Sequence, residues 1–272
     1  MASERDAVEG PAIFSEEKLA STSDKEFMAT LAKGLAVIRA FGSEHPRLTL
    51  SQAAANVGLS RATARRILLT LSELGYVEQD GRDFSLTPRV MELGFSYLAA
   101  QSWIDRLAPL LRALGEDISE TCSAAVLQGQ EIVYVARAQT PRILTSAIAV
   151  GARFPAWHTA MGRILLGSST DDELWRHLRA ARFEPFTPAT ITDLGALFER
   201  VREDGERGYS IVDEELERGL RSISVLLTTR RERALGAIDV SVHSNRTTRN
   251  EMRDRFLPRL REIARQIQQS SE

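Results

Sequence analysis

Two short predicted helices joined through a glycine, followed at once by a tight hairpin, restrict the fold more than any other feature of the chain. They occupy residues 48–87. Thr49 is a favourable N-cap residue for the first helix, and Gly58 suits the left-handed position that ends it. Ser60 can cap the second helix, and Asp80-Gly81 is the turn of a β-hairpin. Helix, turn, helix and hairpin in this order predict a winged helix-turn-helix domain.

The second of these helices has one apolar face and one basic face. Its apolar stripe is expected to be buried: Ala64, Ile67, Leu68, Leu71 and Leu74. In a helix-turn-helix the N-terminal part of this helix enters the major groove, where arginine donates hydrogen bonds to guanine or phosphate. The predicted DNA-binding residues are therefore Ser60, Arg61, Thr63, Arg65 and Arg66, with Arg82 at the hairpin tip. The alternative is that these arginines form an ordinary solvated helix face.

The distribution of charge separates the beginning of the chain from this domain. The net charge of the 272 residues is −2, which by itself argues against a nucleic-acid partner. Residues 1–24 carry six carboxylates against two basic residues, whereas residues 25–102 have nine basic residues against seven acidic ones. We therefore predict a disordered acidic tail over 1–24 and a mildly basic domain over 25–87.

A linker helix is predicted over residues 88–102, because Pro88 suits the first turn of a helix. Its surplus apolar surface favours a partner helix, and a homodimer would present paired reading helices to two half-sites. Residues 103–272 alternate between segments with the apolar spacing of helices and segments with the apolar spacing of strands. Helices are predicted at 104–119, 158–166, 171–180, 192–207 and 248–269, and strands at 124–127, 132–138, 143–150, 209–213, 222–228 and 235–241. This order predicts an antiparallel sheet flanked by helices, so the whole chain is expected to be α+β.

Several classes of function lack their sequence signatures. The single cysteine, Cys122, leaves no internal disulfide and favours a reducing, cytoplasmic location. The four histidines have no metal-ligand spacing, and no P-loop, dinucleotide fingerprint or G-x-S-x-G elbow occurs. We therefore predict no catalytic residues, no metal site and no cofactor. An esterase-like hydrolase with a triad assembled in space is the enzymatic alternative, and a DNA-binding protein without a ligand is the other.

The sequence resembles the IclR family of bacterial regulators from about Lys25 to the end. The N-terminal half carries "KGLAVIRAF" and "LTLSQAAANVGLSRATARRILLTLSELGYVEQDGRDFSLTPRVMELG". The C-terminal half carries "GARFPAWHTAMGRILL", "REDGERGYSIVDEELERGLRSISV" and "LGAIDVSVHS". The segment "DEELERGLRSISV" is most similar to the branch that controls aromatic-acid breakdown through the β-ketoadipate route. The resemblance implies a transcription regulator that binds double-stranded operator DNA as a homodimer or a dimer of dimers.

The resemblance also implies a GAF-like effector domain with a ligand pocket. Its lining is expected to include amides of Ala160 and Met161 and the side chains of Asp213, Ser222, Ser224 and Ser241. A helix that begins near His158 favours a carboxylate at its N-terminus. Arg137 and Arg142 are candidate charge partners for that carboxylate, and Phe154 and Trp157 are candidate walls for a ring.

The sequence leaves alternatives at several of these positions. His158 is as readily a structural hydrogen-bonding group, and Arg137 either faces a polar cavity or pairs with a structural acid. Ser222 and Ser224 share one face of a strand, but that face is either pocket or surface. The expected effector is a small carboxylate, either an aromatic acid or a β-ketoadipate-pathway intermediate. A small oxo-acid such as glyoxylate or pyruvate is the alternative.

Overall fold

A computed structural model describes residues 27–139 and 148–271 of the chain. It divides into two compact units, Met1–Phe95 and Ser96–Glu272. The predicted tail over 1–24, Arg142 and most of the predicted strand at 143–150 lie outside the described residues.

The first unit has the predicted winged helix-turn-helix layout with one additional strand. Its elements are α1 (Ala29–Arg39), β1 (Arg47–Thr49), α2 (Leu50–Val57), α3 (Arg61–Glu73), β2 (Val77–Asp80) and β3 (Asp83–Leu86). The unpredicted strand β1 pairs with β3 to give the sheet order β1-β3-β2. A short 3-10 turn at Pro88–Val90 then leads into α4 (Met91–Ala99).

The local sequence signals set the helix boundaries of this unit. Thr49 caps α2 in a capping box with Gln52, and Gly58 ends that helix at φ 68°. Ser60 caps α3 by accepting from the amide of Thr63 at 3.2 Å. The predicted buried stripe of α3 is correct except at Leu74, which is 52% exposed. The helix has ended at Glu73, so Leu74 no longer follows its periodicity.

The second unit is a six-stranded antiparallel sheet with helices on both faces. The described elements are α5 (Ser102–Ile118), β4 (Thr121–Gln128), β5 (Glu131–Ala138), β6 (Arg153–Pro155), α6 (Ala160–Gly167), α7 (Asp171–Arg179), α8 (Leu194–Arg207), β7 (Ser210–Asp213), β8 (Leu220–Thr228), β9 (Ala234–His243), α9 (Arg249–Glu251) and α10 (Leu257–Ser270). The strand order is β6-β5-β4-β9-β8-β7. The predicted α+β class is therefore confirmed.

The two faces of this sheet differ in chemistry because strand residues alternate in direction. On one face, apolar residues of β4, β8 and β9 pack with α5 and α10 into a core that includes Cys122, Ile223, Ile238 and Val240. The opposite face turns toward α6 and carries polar residues. In the described part of the chain, no helix combines the length and the apolar character that a membrane span requires.

Candidate functional site

The basic face of α3 is exposed in the first unit. Arg61, Arg65 and Arg66 lie on its first two turns, opposite the buried stripe, and all three are exposed. Arg82 is exposed at the β2–β3 turn. None of these four arginines forms an ion pair with another residue that the structure describes. Their guanidinium groups are therefore available to phosphates and base edges.

Ser60 and Thr63 occupy a different position from the arginines. The Ser60 hydroxyl accepts from the Thr63 amide and lies 2.9 Å from the Thr63 hydroxyl. Both side chains are thus engaged at the helix N-cap, which fixes the start of α3 and the direction of the basic face that follows.

A cavity of about 30 Å³ lies in the second unit, between the polar face of the sheet and the start of α6. Five of the predicted ligand-binding residues line it: Arg137, His158, Ala160, Ser222 and Ser241. Residues not singled out from the sequence also line it: Thr121, Tyr134, Ile148, Thr159, Val212, Leu216, Leu220 and Asp239. Of the two alternatives for the strand face that carries Ser222, pocket or surface, the structure shows the pocket.

The register of the strands brings the polar side chains together. Arg137, Ser123, Asp239 and Ser224 are consecutive partners across β5, β4, β9 and β8. Thr121, Ser241 and Ser222 form a second row two residues away along β4. The hydroxyls of Ser222 and Ser241 lie 2.8 Å apart. Two adjacent rows of polar residues thus lie on the face of the sheet that borders the cavity.

Polar atoms at the cavity are buried without partners. The Arg137 Nε, the Thr121 hydroxyl and both ring nitrogens of His158 have no hydrogen bond to any residue in the described part of the chain. Burial, helped by the positive charge of Arg163, lowers the pKa of His158 to about 4, so the ring is neutral at physiological pH. Buried polar groups are normally hydrogen-bonded, and several unpaired ones around one cavity indicate a place for a polar ligand.

Asp239 brings a buried acid into the same cavity. Its Oδ2 accepts from the Ser241 hydroxyl at 3.0 Å, while no described residue donates a well-formed hydrogen bond to Oδ1. Burial raises the pKa of Asp239 to about 6, against the opposing effects of the Ser241 hydrogen bond, the Arg137 charge and the nearby amide and hydroxyl of Ser123. The carboxylate is therefore largely ionised at pH 7.

A buried ion pair holds the loop that closes one side of the cavity. Arg163 of α6 donates to both carboxylate oxygens of Glu215, in the loop between β7 and β8, and its Nε donates to the Trp157 carbonyl at 2.8 Å. The Thr187 and Thr190 hydroxyls donate to the carbonyls of Glu214 and Glu215, each at 2.6 Å. Leu216 of this loop and Leu220, the first residue of β8, line the cavity, so these contacts position its wall.

The start of α6 approaches the preceding turn without any side chain between them. A Cβ on Gly162 would lie 2.0 Å from the Ala156 carbonyl oxygen, so glycine is required there. Thr159 caps the helix by accepting from the Gly162 amide at 3.1 Å. This close approach places His158 and Ala160 at the cavity.

Three other predicted ligand residues, Met161, Asp213 and Ser224, are not among the residues that line the cavity. Asp213 is not among the cavity-lining residues and pairs with Arg221 at 2.6 Å and Arg249 at 2.7 Å. On β7 it alternates with Val212, which does line the cavity. Met161 is in the core, and the buried Ser224 hydroxyl donates to the Ile238 carbonyl at 2.8 Å.

The predicted aromatic walls also have other contacts. Trp157 packs edge-on against Phe183 with ring centroids 5.4 Å apart, and it does not line the cavity. Phe154 packs edge-on against Tyr134 at 5.8 Å, and Tyr134 is the aromatic ring at the cavity.

Sequence reasoning did not single out Asp239 and Thr121. The alternation of side chains was considered for Ser222 and Ser224 of β8, but not for the strands beside β8. Asp239 and Ser241 are two residues apart on one strand and therefore face the same side of the sheet. The expected position of Ser241 at the pocket thus indicated Asp239 as well. An acid within the apolar run AIDVSV was a second available signal.

Chemical arrangements typical of hydrolases are not found around these groups. No cluster of histidine, cysteine and carboxylate side chains suited to a metal occurs in residues 27–139 and 148–271. The ring nitrogens of His158 bond neither a serine nor a carboxylate of the described chain, so His158 is not part of a hydrogen-bonded triad there.

A winged helix-turn-helix with an exposed basic reading helix, together with a unit that encloses a buried polar cavity, defines a ligand-responsive transcription regulator. Comparison with known proteins identifies the family. The helix-turn-helix model of the IclR family matches residues 30–81, and the model described as "Bacterial transcriptional regulator IclR C-terminal" matches residues 95–269. The chain belongs to the IclR family of bacterial transcriptional regulators, as its resemblance predicted.

Individual relatives are similar to this protein in sequence or in structure. The Pca regulon regulatory protein of Pseudomonas putida is 39% identical over 249 residues, which is 91% of this chain and 86% of that protein. A transcriptional regulator from Rhodococcus sp. RHA1 has a similar structure, with a TM-score of 0.80, 40% identity and coverage of 89% of this chain and 98% of that one. The inducer-binding domain of a double mutant of PobR from Acinetobacter, solved with 3-hydroxybenzoic acid, matches 60% of this chain and 96% of its own at 27% identity and a TM-score of 0.57.

Proposed function

We propose that this regulator binds operator DNA through α3 and the β2–β3 turn, and that a small carboxylate in the cavity, an aromatic acid or an intermediate of its breakdown, controls its action on transcription. The observation that carries this proposal is a set of buried polar atoms on Arg137, Thr121 and His158 that have no hydrogen-bond partner among the described residues. The relative from Pseudomonas putida is named for the Pca regulon, and the similar PobR domain was solved with a hydroxybenzoic acid. Both names support an aromatic effector.

Within the cavity we assign the effector carboxylate to Arg137. A guanidinium group pairs with a carboxylate through parallel hydrogen bonds, and Arg137 is the basic side chain among the described lining residues. The neutral His158 ring and the Thr121 hydroxyl can each donate one further hydrogen bond. Tyr134 supplies an aromatic surface, and Leu216 and Leu220 supply apolar contacts for a ring.

The volume of the cavity implies that its wall moves. About 30 Å³ holds a water molecule, and a benzoate-sized ligand needs several times more. We assign this movement to residues 214–219, the loop that carries Leu216 and that the Arg163–Glu215 pair joins to α6. We propose that the ligand is enclosed by this loop, and that its differential affinity for the two loop positions changes the DNA-binding state.

A thermal-shift screen of the full chain tests the ligand class. The panel contains 4-hydroxybenzoate, protocatechuate, β-ketoadipate, muconate, glyoxylate and pyruvate. A true effector at about 100 times its Kd adds roughly 2.7 kcal/mol to the free energy of unfolding. Arg137→Gln should abolish the shift, whereas Arg153→Gln, on the neighbouring strand and paired with Glu131, should preserve it. Stabilisation that survives Arg137→Gln would contradict the assignment of the carboxylate.

The small volume also favours a second candidate. Glyoxylate and pyruvate are much smaller than an aromatic acid, so a small oxo-acid requires less enlargement of the cavity. Stabilisation by these acids alone, again lost in Arg137→Gln, would identify the oxo-acid as the effector class.

We further propose that the functional form is a homodimer that assembles into a dimer of dimers on DNA in the cytoplasm. On α4, Met91 is 75% exposed and Phe95 69% exposed, and Leu93 and Tyr97 are also exposed. An apolar helix surface of this extent is typical of an interface. Sedimentation analysis of Leu93→Glu with Phe95→Glu should show smaller particles than the wild type, and an unchanged mass would place the interface elsewhere.

A further inference from the structure

Asp239 is a buried acid whose position in the cavity is not explained by the folding of the sheet. It lies on β9, in the middle of the sheet, where apolar residues ordinarily stabilise the fold. It is the acidic side chain among the described residues that line the cavity. The Ser241 hydroxyl bonds its Oδ2, and Oδ1 remains buried without a well-formed hydrogen bond from a described residue. Ser123 of β4 lies close enough to lower the pKa of Asp239, but no described residue completes a hydrogen bond to Oδ1, so this oxygen can accept from a ligand donor.

Other polar groups at the cavity can donate hydrogen bonds, whereas Asp239 accepts them. Arg137 only donates, and the Thr121 hydroxyl and neutral His158 ring each have a donor to offer. These groups suit a carboxylate, which only accepts. Asp239 cannot bond an ionised carboxylate and would repel it. The cavity therefore contains one region for an anion and one for a neutral donor.

The two regions are separated by a distance that a single ring can span. Arg137 and Asp239 stand in one row across the sheet, with Ser123 of β4 between them. Neighbouring strands are about 4.8 Å apart, so the two Cα atoms are separated by roughly 10 Å. Side chains that extend into the same cavity from these positions can reach substituents on opposite sides of a six-membered ring.

We propose that Asp239 accepts a hydrogen bond from a hydroxyl group of the effector, and that it thereby selects hydroxylated acids over acids that lack the hydroxyl or carry a second carboxylate in its place. The inference rests on the proposed function of the cavity and narrows it. A ligand without the hydroxyl leaves the buried Asp239 carboxylate without its donor, and a dianion brings like charges together.

Three benzoic acids that differ only in the para substituent test this selection: 4-hydroxybenzoate, benzoate and terephthalate, titrated calorimetrically into the full chain. The wild type should bind 4-hydroxybenzoate about 10- to 100-fold more tightly than benzoate, and terephthalate most weakly. In Asp239→Ala the ratio of the first two affinities should fall to near one, and the penalty for terephthalate should disappear. Asp239→Asn, which keeps the side-chain volume and a neutral acceptor, should give an intermediate ratio.

Taking ratios of affinities removes general effects of the substitutions, because a loosened fold weakens both ligands alike. Asp204→Asn is the matched control: Asp204 is also fully buried, bonds the Ser210 hydroxyl and does not line the cavity. Its hydroxyl preference should equal that of the wild type. If Asp239→Ala does not fold, the isosteric Asp239→Asn variant decides the question.

The outcomes separate this inference from the proposed function. If all three acids depend on Arg137 but Asp239 variants keep the wild-type ratio, the role of Asp239 is overturned and the carboxylate site stands. If terephthalate binds as tightly as 4-hydroxybenzoate, the inference is likewise overturned. If the wild type binds no aromatic acid, the aromatic-acid function fails, and the inference fails with it.

Discussion

Arg163 and Glu215 form an ion pair in which two parallel hydrogen bonds are buried, with Arg163 Nη1 lying 2.9 Å from Glu215 Oε1. The arginine side chain is fully buried and the carboxylate nearly so. The pair joins α6, which begins at the cavity, to the loop that carries Leu216 and leads into Leu220 of β8. A single contact thus connects two walls of the proposed effector site, far apart in sequence.

Removing the carboxylate of this pair should destabilise the second unit strongly. Glu215→Ala leaves a buried guanidinium without its counter-charge, and breaking such a pair costs about 3–5 kcal/mol. Equilibrium urea unfolding measures the change. Glu131→Ala is the matched control, because its pair with Arg153 is partly exposed and should contribute about 1 kcal/mol or less. Equal losses in the two variants would mean that burial gives the Arg163 pair no special weight.

A methyl group at Gly162 should be incompatible with the start of α6. The new Cβ would lie 2.0 Å from the Ala156 carbonyl oxygen, which is backbone and cannot move aside. Gly162→Ala should lower the unfolding free energy by at least about 3 kcal/mol and weaken effector binding, since His158 and Ala160 shift with the helix. Gly195→Ala, in the first turn of α8 with its nearest neighbour at 3.4 Å, should be neutral or raise stability by about 0.5–1 kcal/mol. A tolerated Gly162→Ala would contradict the close packing described here.

Loss of one arginine from α3 should weaken specific DNA binding. Arg65 is exposed on the face opposite the buried stripe, so Arg65→Ala should cost about 1–3 kcal/mol of operator affinity and leave the thermal stability unchanged. Fluorescence anisotropy with operator and scrambled duplexes measures both specific and non-specific binding. Arg265→Ala, an exposed arginine of α10, serves as the control and should bind the operator like the wild type. Unchanged binding by Arg65→Ala would mean that another face of the domain reads DNA.

The sequence predicted the first unit well because its signals are local. Thr49, Gly58 and Ser60 each act within a few residues of the helix ends that they set. The strand β1 escaped prediction because three residues have no recognisable period of their own, and they become a strand by pairing with β3, more than thirty residues away.

Prediction of the cavity was limited by the order of the strands. A single strand reveals which residues share a face, as for Ser222 and Ser224, but the family resemblance alone placed Ser222 and Ser241 at the pocket. Which faces meet depends on β9 lying between β4 and β8, and that pairing is not encoded locally. Asp213 illustrates the difficulty. It ends a strand near the cavity, but its side chain is on the other side of the strand from Val212 and pairs with Arg221 and Arg249.

Replacement of Asp239 should make the protein more stable at neutral pH while weakening its selectivity. Burial raises the pKa of this carboxyl from 3.8 to about 6 in the folded protein. The folded state therefore holds the proton more tightly than the unfolded chain, and this contribution to stability is present below pH 3.8 and lost as the pH rises through 6. Asp239→Asn carries no ionisable group and should not show that loss. Its unfolding free energy should match the wild type near pH 4 and exceed it by up to about 3 kcal/mol above pH 7, since each pKa unit corresponds to about 1.4 kcal/mol. Urea unfolding at a series of pH values measures the difference, and an offset that stays constant with pH would show that ionisation of Asp239 is not its source. If Asp239→Asn stabilises the protein and also reduces discrimination between 4-hydroxybenzoate and benzoate, the fold retains this buried charge for recognition.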